Sequence, residues 1–180
     1  APVNSGDSTT WELYFRLGFD PSNNNRLKII LKSDNFDLKN NFNGYFLQIG
    51  RNGADDRIEL LRQDGTSTNS DPILSSAEGS VAIAPEARLR VIRDPIGNWE
   101  LYADFSGGNA LNLLDQGFDD TYNFGQFFGM VCDYTSNNLK EFFIDDIRID
   151  PLYVDDDGPI LVNAVPENAE RVEVFFDEAL

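Results

Sequence analysis

Histidine is absent from this chain of 180 residues, and cysteine occurs once, at Cys132. The first absence removes the usual general base at neutral pH and the commonest zinc ligand. The second excludes an intramolecular disulfide framework and any Cys-rich metal site. Cys132 ends the apolar run that begins at Phe127, with no histidine to activate it, so it reads as a small core hydrophobe rather than a nucleophile. Positive charge is scarce as well: 14 Lys plus Arg against 31 Asp plus Glu leave a net charge of −17. A field of that sign repels nucleic acid and anionic lipid, which argues against a polynucleotide partner. It fits divalent cations, a saline exterior, or simple solubility. No apolar run approaches the roughly 18 residues that cross a bilayer, so direct membrane insertion is not expected. The opening Ala-Pro-Val followed by Asn, Ser, Gly and Asp reads as a mature terminus left after removal of a secretory leader, or as an arbitrary boundary.

What the chain does have is a large apolar store. Hydrophobic residues make up 41%, with 14 Phe, 6 Tyr and 2 Trp, ample for a packed core despite the charge. The length allows one well-cored domain and a small appendage.

Those apolar residues recur with period 2, between turn signals, and no long stretch holds a period of 3.6. Trp11 to Phe19 places Trp11, Leu13, Phe15, Leu17 and Phe19 on one face and Glu12, Tyr14 and Arg16 on the other. Leu27 to Lys32 alternates Leu27, Ile29 and Leu31 with Lys28, Ile30 and Lys32. Gly44 to Arg51 and Arg57 to Arg62 form a hairpin about Asp55 and Asp56, and Asp64-Gly65 ends its second strand. The stretch from Thr66 to Glu86 is polar and Ser-rich, read as loop with at most one short strand. Ala87 to Arg93 pairs with Asn98 to Phe105 through Asp94-Pro95-Ile96-Gly97, with Trp99, Leu101, Ala103 and Phe105 inward and Glu100, Tyr102 and Asp104 outward. Phe127 to Tyr134 and Glu141 to Ile149 complete the set around the turn at Thr135 to Asn138. In the last of these, Phe143, Ile144 and Ile147 flank Asp145 and Asp146, so one carboxylate is expected to be buried and to need a cation, a partner or N–H donors.

Short strands at this spacing predict an all-β chain, an antiparallel β-sandwich. The ordered set of Trp11, Gly44-Tyr45, Ile49-Gly50, Arg90-Val91 with Arg93-Asp94, Gly97 with Trp99, Phe128-Gly129 through Cys132 to Tyr134-Thr135, and Phe143 with Asp145-Asp146-Ile147 resembles the concanavalin A-like lectin/glucanase jelly-roll domains of large bacterial surface proteins. Many of those proteins carry lamin-tail or Ig-like modules and leave the cell by the type IX pathway. The resemblance covers Thr10 to Asp150 and implies an extracellular or cell-surface, secreted location. The chain thus reads as a sandwich over 1–150, an acidic linker over 151–159 with Asp155-Asp156-Asp157, and a tail over 160–180 that, at Val174, Phe175, Phe176 and Glu178, resembles the first strands of a truncated bacterial Ig-like domain.

Catalysis is not expected. The glucanases of this superfamily set acids as Glu-x-Asp-x-x-Glu along one strand, about 5 Å apart across the scissile bond, and no segment here matches. Asp55-Asp56, Asp119-Asp120 and Asp145-Asp146 are adjacent pairs, which on a regular strand point to opposite faces. Calcium is the better chemical hypothesis for so oxygen-rich a chain. In the domains it resembles, an acid of the closing strand helps to hold a structural Ca2+, which by position would be Asp145 or Asp146. Alternatively, one of that pair is solvated and the other caps backbone N–H groups.

For sugar, the outward rows offer Tyr14, Arg16, Gln48, Arg88, Arg90 and Tyr102, which can stack on or hydrogen-bond to a glycan, or merely stabilise a solvated sheet. The leading expectation is therefore a non-catalytic extracellular module for adhesion or carbohydrate binding, its partner a polysaccharide or a cell-surface or secretion-system protein. The alternatives are a structural spacer or assembly domain without a small ligand, and, least favoured, a divergent glycoside hydrolase.

Overall fold

The computed structural model describes residues 8–51, 53, 55–150, 161–168 and 171–176. Along the chain the strands are β1 (Thr9–Leu17), β2 (Arg26–Ser33), β3 (Phe42–Ile49), β4 (Ile58–Gly65), β5 (Ser67–Thr68), β6 (Leu74–Ser75), β7 (Glu86–Arg93), β8 (Asn98–Asp104), β9 (Asn112–Phe118), β10 (Phe127–Asp133), β11 (Phe142–Asp150), β12 (Leu161–Asn168) and β13 (Arg171–Phe176). The first sheet runs β11-β1-β7-β8-β9 and the second β10-β2-β3-β4-β5, with β6 also on β4. All named pairings within the two sheets are antiparallel. The two sheets stack as a jelly-roll β-sandwich.

The period-2 rows build its interior. Trp11, Leu13, Phe15 and Leu17 of β1, Leu89 and Val91 of β7, and Trp99, Leu101 and Ala103 of β8 meet Leu27 and Ile29 of β2, Tyr45, Leu47 and Ile49 of β3, and Ile58 and Leu60 of β4. Trp11 and Trp99 stack at 5.9 Å between ring centroids, and Trp99 meets Tyr45 of the facing sheet at 4.8 Å, so both tryptophans belong to the core as expected. Aromatic contacts of this kind add to the area they bury. The β7–β8 turn ends on Gly97 at φ 102, where a side chain would run into Asp120.

The structure corrects the sequence reading at several points. The polar stretch from Thr66 to Glu86 contains two short strands, β5 and β6, and strand β9 was not foreseen. The adjacent leucines of β9 break any simple alternation, and its residues are only partly covered because it is an edge strand. Phe105 lies beyond the end of β8 and is 40% exposed rather than inward. The β2–β3 register slips between Ile30 and Lys32, so Lys32 lies opposite the inward Tyr45 and is buried, not outward with Lys28. A bulge of this kind re-aims one side chain without changing the strand.

The same device acts in β11. Its register against β1 slips between Arg148 and Asp145, and Asp146 takes φ 52. Asp145 lies opposite Tyr14, and the Asp146 carboxylate reaches Arg88 at 2.6 Å, so both acids stand on the outer face and both are exposed. The expectations of a buried carboxylate and of opposite faces for the pair are thus overturned. β12 and β13 pair antiparallel, as the two strands expected in the tail. The acidic linker, 151–159, lies outside the described residues.

Candidate functional site

The six sugar-binding candidates divide between the two outer faces. Tyr14 and Arg16 of β1, Arg88 and Arg90 of β7 and Tyr102 of β8 share the outer face of the first sheet, since Tyr14 pairs with Arg88 and Arg90 with Tyr102. Gln48 belongs to β3, on the outer face of the second sheet.

On the first face these groups are engaged with one another. Tyr14 donates to Glu86 at 3.1 Å, Tyr102 to Glu100 at 2.8 Å, and Gln116 to the other oxygen of Glu100 at 2.7 Å. Arg88 pairs with Asp146, Arg90 with Glu12, and the Arg16 guanidinium lies over the Phe143 ring at 3.9 Å. Burial, with the hydrogen bond to Glu86 behind it, pushes the Tyr14 phenol up, and the bond to Glu100 does the same to Tyr102. Both phenols are fixed as donors to carboxylates. A pocket of about 270 Å³ lies on this face between Thr10, Glu12, Arg90, Ile92, Arg148 and Asp150, where each cation has its acid beside it.

The closing-strand acids proposed for calcium already have partners. Asp146 holds Arg88, and one oxygen of Asp145 accepts the Asp146 backbone N–H at 2.8 Å. No grouping of three acidic, His or Cys side chains lies among the described residues.

The outer face of the second sheet is built differently. At one end Ile30, Phe42, Phe46 and Leu61 form a small second core, on which Leu38 of the β2–β3 loop packs. At the other end the face opens into a groove of about 580 Å³. Its floor is the cross-strand row Lys28, Gln48 and Glu59, which spans three strands and so roughly 10 Å. Arg26, Arg51 and Arg57 stand around it, with Asn23 on one side and Thr68, Asn69 and Asp71 on the other. Arg26 pairs through Nε with Asp133 at 3.0 Å, and Glu59 receives both Arg51 and Arg57 at 3.0 Å. The Lys28 ammonium rests 5.1 Å from the Phe46 ring centroid and has no carboxylate in ion-pair reach among the described residues. Burial pulls its pKa down, and the neighbouring Arg26 charge adds to that. Sequence reasoning singled out Gln48 alone from this groove, because the cations come from separate strands and loops that only pairing brings together.

Between the sheets, one end is closed by the loop after β9. Asp119 accepts from Tyr45 at 2.7 Å, from Arg62 at 2.6 Å and from the Thr121 N–H at 2.9 Å, and its own carbonyl accepts from the Trp99 indole at 3.1 Å. Burial works to raise the Asp119 pKa, but the hydrogen bonds from Tyr45, Thr121 and Arg62 outweigh it and hold the carboxyl below its usual value. Here an acid that looked in sequence like surface charge or a cation ligand is a structural hub. Lys32 and Arg93 meet in the same region, both on Asn123: Lys32 donates to its carbonyl at 2.6 Å and Arg93 to its side-chain oxygen at 2.6 Å. Cys132 packs half-buried against the main core, and burial raises its thiol, consistent with an inert role.

No family model matches the chain, and no curated protein matches it in sequence. Among solved structures the chain is similar to the marine PL7 alginate lyase AlyA1 from Zobellia galactanivorans, at 11% identity and a TM-score of 0.39. The match covers 83% of this chain and 64% of that one, so the chain spans less than two thirds of its length.

Proposed function

We propose that this chain is a non-catalytic carbohydrate-binding module of a larger secreted or surface protein, and that it takes an extended glycan in the groove across β2, β3 and β4. The observation that carries the reading is the contrast in hydrogen-bonding capacity. Gln48 and the Lys28 ammonium on the groove floor have no hydrogen-bond partner among the described residues, whereas Tyr14 and Tyr102 each donate to a carboxylate and Arg88 and Arg90 each hold one through a single nitrogen. Groups held on paired strands with free donors are preorganised for sugar hydroxyls at little entropic cost. The groove's Glu59 is occupied by two guanidiniums, Arg51 and Arg57, which supports a binding role over catalysis. A β-sandwich with such a face is consistent with the lectin-like resemblance, and with it an extracellular location.

Retention on a panel of soluble polysaccharides in affinity gels tests the reading. Gln48→Ala combined with Lys28→Ala is expected to weaken retention at least tenfold, about 1.4 kcal/mol, with Arg90→Ala and Tyr102→Ala unchanged. Loss in the latter two with retention in the former would move the site to the first sheet. No retention of the parent chain by any member would favour the spacer reading.

A further inference from the structure

The groove's electrostatics name a ligand class. We propose, resting on the glycan reading above, that its ligand is an anionic polysaccharide whose carboxylate or sulfate groups are held by Lys28 and by the outer edges of Arg26, Arg51 and Arg57. In a chain of net charge −17, this groove is lined by four cations and two carboxylates, Glu59 and Asp71, while Asp133, Asp55 and Glu78 reach Arg26, Arg51 and Arg57 from outside the lining. The three guanidiniums of the groove each meet a carboxylate, as do Arg88, Arg90 and Arg148 on the first outer face, and Lys28 is the groove cation with no carboxylate in ion-pair reach among the described residues. Lys28 is instead set against a ring and beside Arg26, where burial and like charge both oppose its protonated form. A partly desolvated ammonium in that position is stabilised by an anion arriving from outside.

The arginines are turned to the same use. Arg26 binds Asp133 through Nε alone, which leaves both terminal nitrogens without a partner among the described residues. Arg51 and Arg57 each leave one terminal nitrogen in the same condition. A planar guanidinium edge receives carboxylate or sulfate oxygens in a fixed geometry, and Asn23 and Gln48 remain for hydroxyls. Nucleic acid fits poorly. Among the described residues no aromatic side chain lines the groove to stack on bases, and a polymer so densely charged meets the repulsion of the whole chain along its length.

The test compares matched polymers that differ only in charge: polygalacturonate against its methyl ester, and a sulfated galactan against the same galactan desulfated. With the full chain in affinity gels, we expect retention by at least one anionic form and a loss of tenfold or more when its charge is masked. The pair that responds tells carboxylate from sulfate. Lys28→Gln should lower that retention about tenfold with an unchanged melting curve, and Lys28→Arg should restore most of it. Equal retention of charged and neutral forms overturns the anionic inference and leaves glycan binding standing. Binding of neutral polysaccharides alone does the same. Failure of every polymer removes both readings. Equal retention by single-stranded DNA overturns the inference in favour of non-specific cation exchange.

Discussion

On the outer face of the first sheet, Arg88 meets Asp146, Arg90 meets Glu12 and the tyrosines donate to Glu86 and Glu100, while on the second sheet Lys28 lies beside Arg26 with Gln48 next to it and, among the described residues, no carboxylate in ion-pair reach. Both faces consist of Arg, Lys, Tyr, Gln and Glu on paired strands, so residue type does not separate them. Their difference is in satisfaction. On the first face both tyrosines and the Arg88, Arg90 and Arg148 guanidiniums meet carboxylates, so most of its charge is offset locally, which makes it a good solvated surface. Exposed pairs of that sort add little stability, typically under about 1 kcal/mol each. The second face keeps donors and positive charge in reserve, which makes it the better receptor. A list of outward aromatics and arginines therefore ranks the wrong sheet first, because the side chains best suited to sugar are also best suited to each other.

The comparison can be strained at graded cost. The largest effect is expected from Trp99→Ala, which removes the ring shared by Trp11, Tyr45 and the Asp119 carbonyl and should lower stability by about 3–5 kcal/mol. Because both faces hang on that interior, chemical denaturation should show one transition; two separate transitions would mean that the sheets are stabilised independently.

A smaller effect sits on the inner side of the second sheet. Burial, with the Arg93 charge beside it, pulls Lys32 down to about 8 from its ordinary 10.5. The folded state therefore releases this proton before the unfolded state does. Stability contributed by the neutral amine is absent below pH 8 and is gained as the pH rises from about 8 toward 10.5. Other groups titrate in the same window, so the difference between chains is the readout: urea midpoints should climb more with pH in the parent than in Lys32→Met. Identical pH profiles for the two chains would show that Lys32 contributes no such dependence.

The smallest expected effect is none. EDTA should leave the melting midpoint unchanged, since Asp146 is held by Arg88 and Asp145 by a backbone N–H. A drop of several degrees would restore a structural calcium and with it a different account of the first face.

Period 2 was enough to read the sandwich and most of its inner row. Burial repeats at alternate residues of β1, β7 and β8 wherever the sequence does, and both tryptophans fall where the pattern puts them. Strand β9 escaped because an edge strand with one partner needs no clean alternation. Lys32 and Asp146 escaped because each follows a bulge, and an extra residue in one strand is defined only against its neighbour.

By itself the amino-acid order determined the architecture and the inward faces, because solvent exclusion acts on each strand's own two-residue repeat. Only the tertiary structure decided which outward cations meet a carboxylate and which, like Lys28, do not. Pairing of charges depends on which strands become neighbours, and Lys28, Gln48 and Glu59 meet through register across three strands rather than through any spacing along the chain.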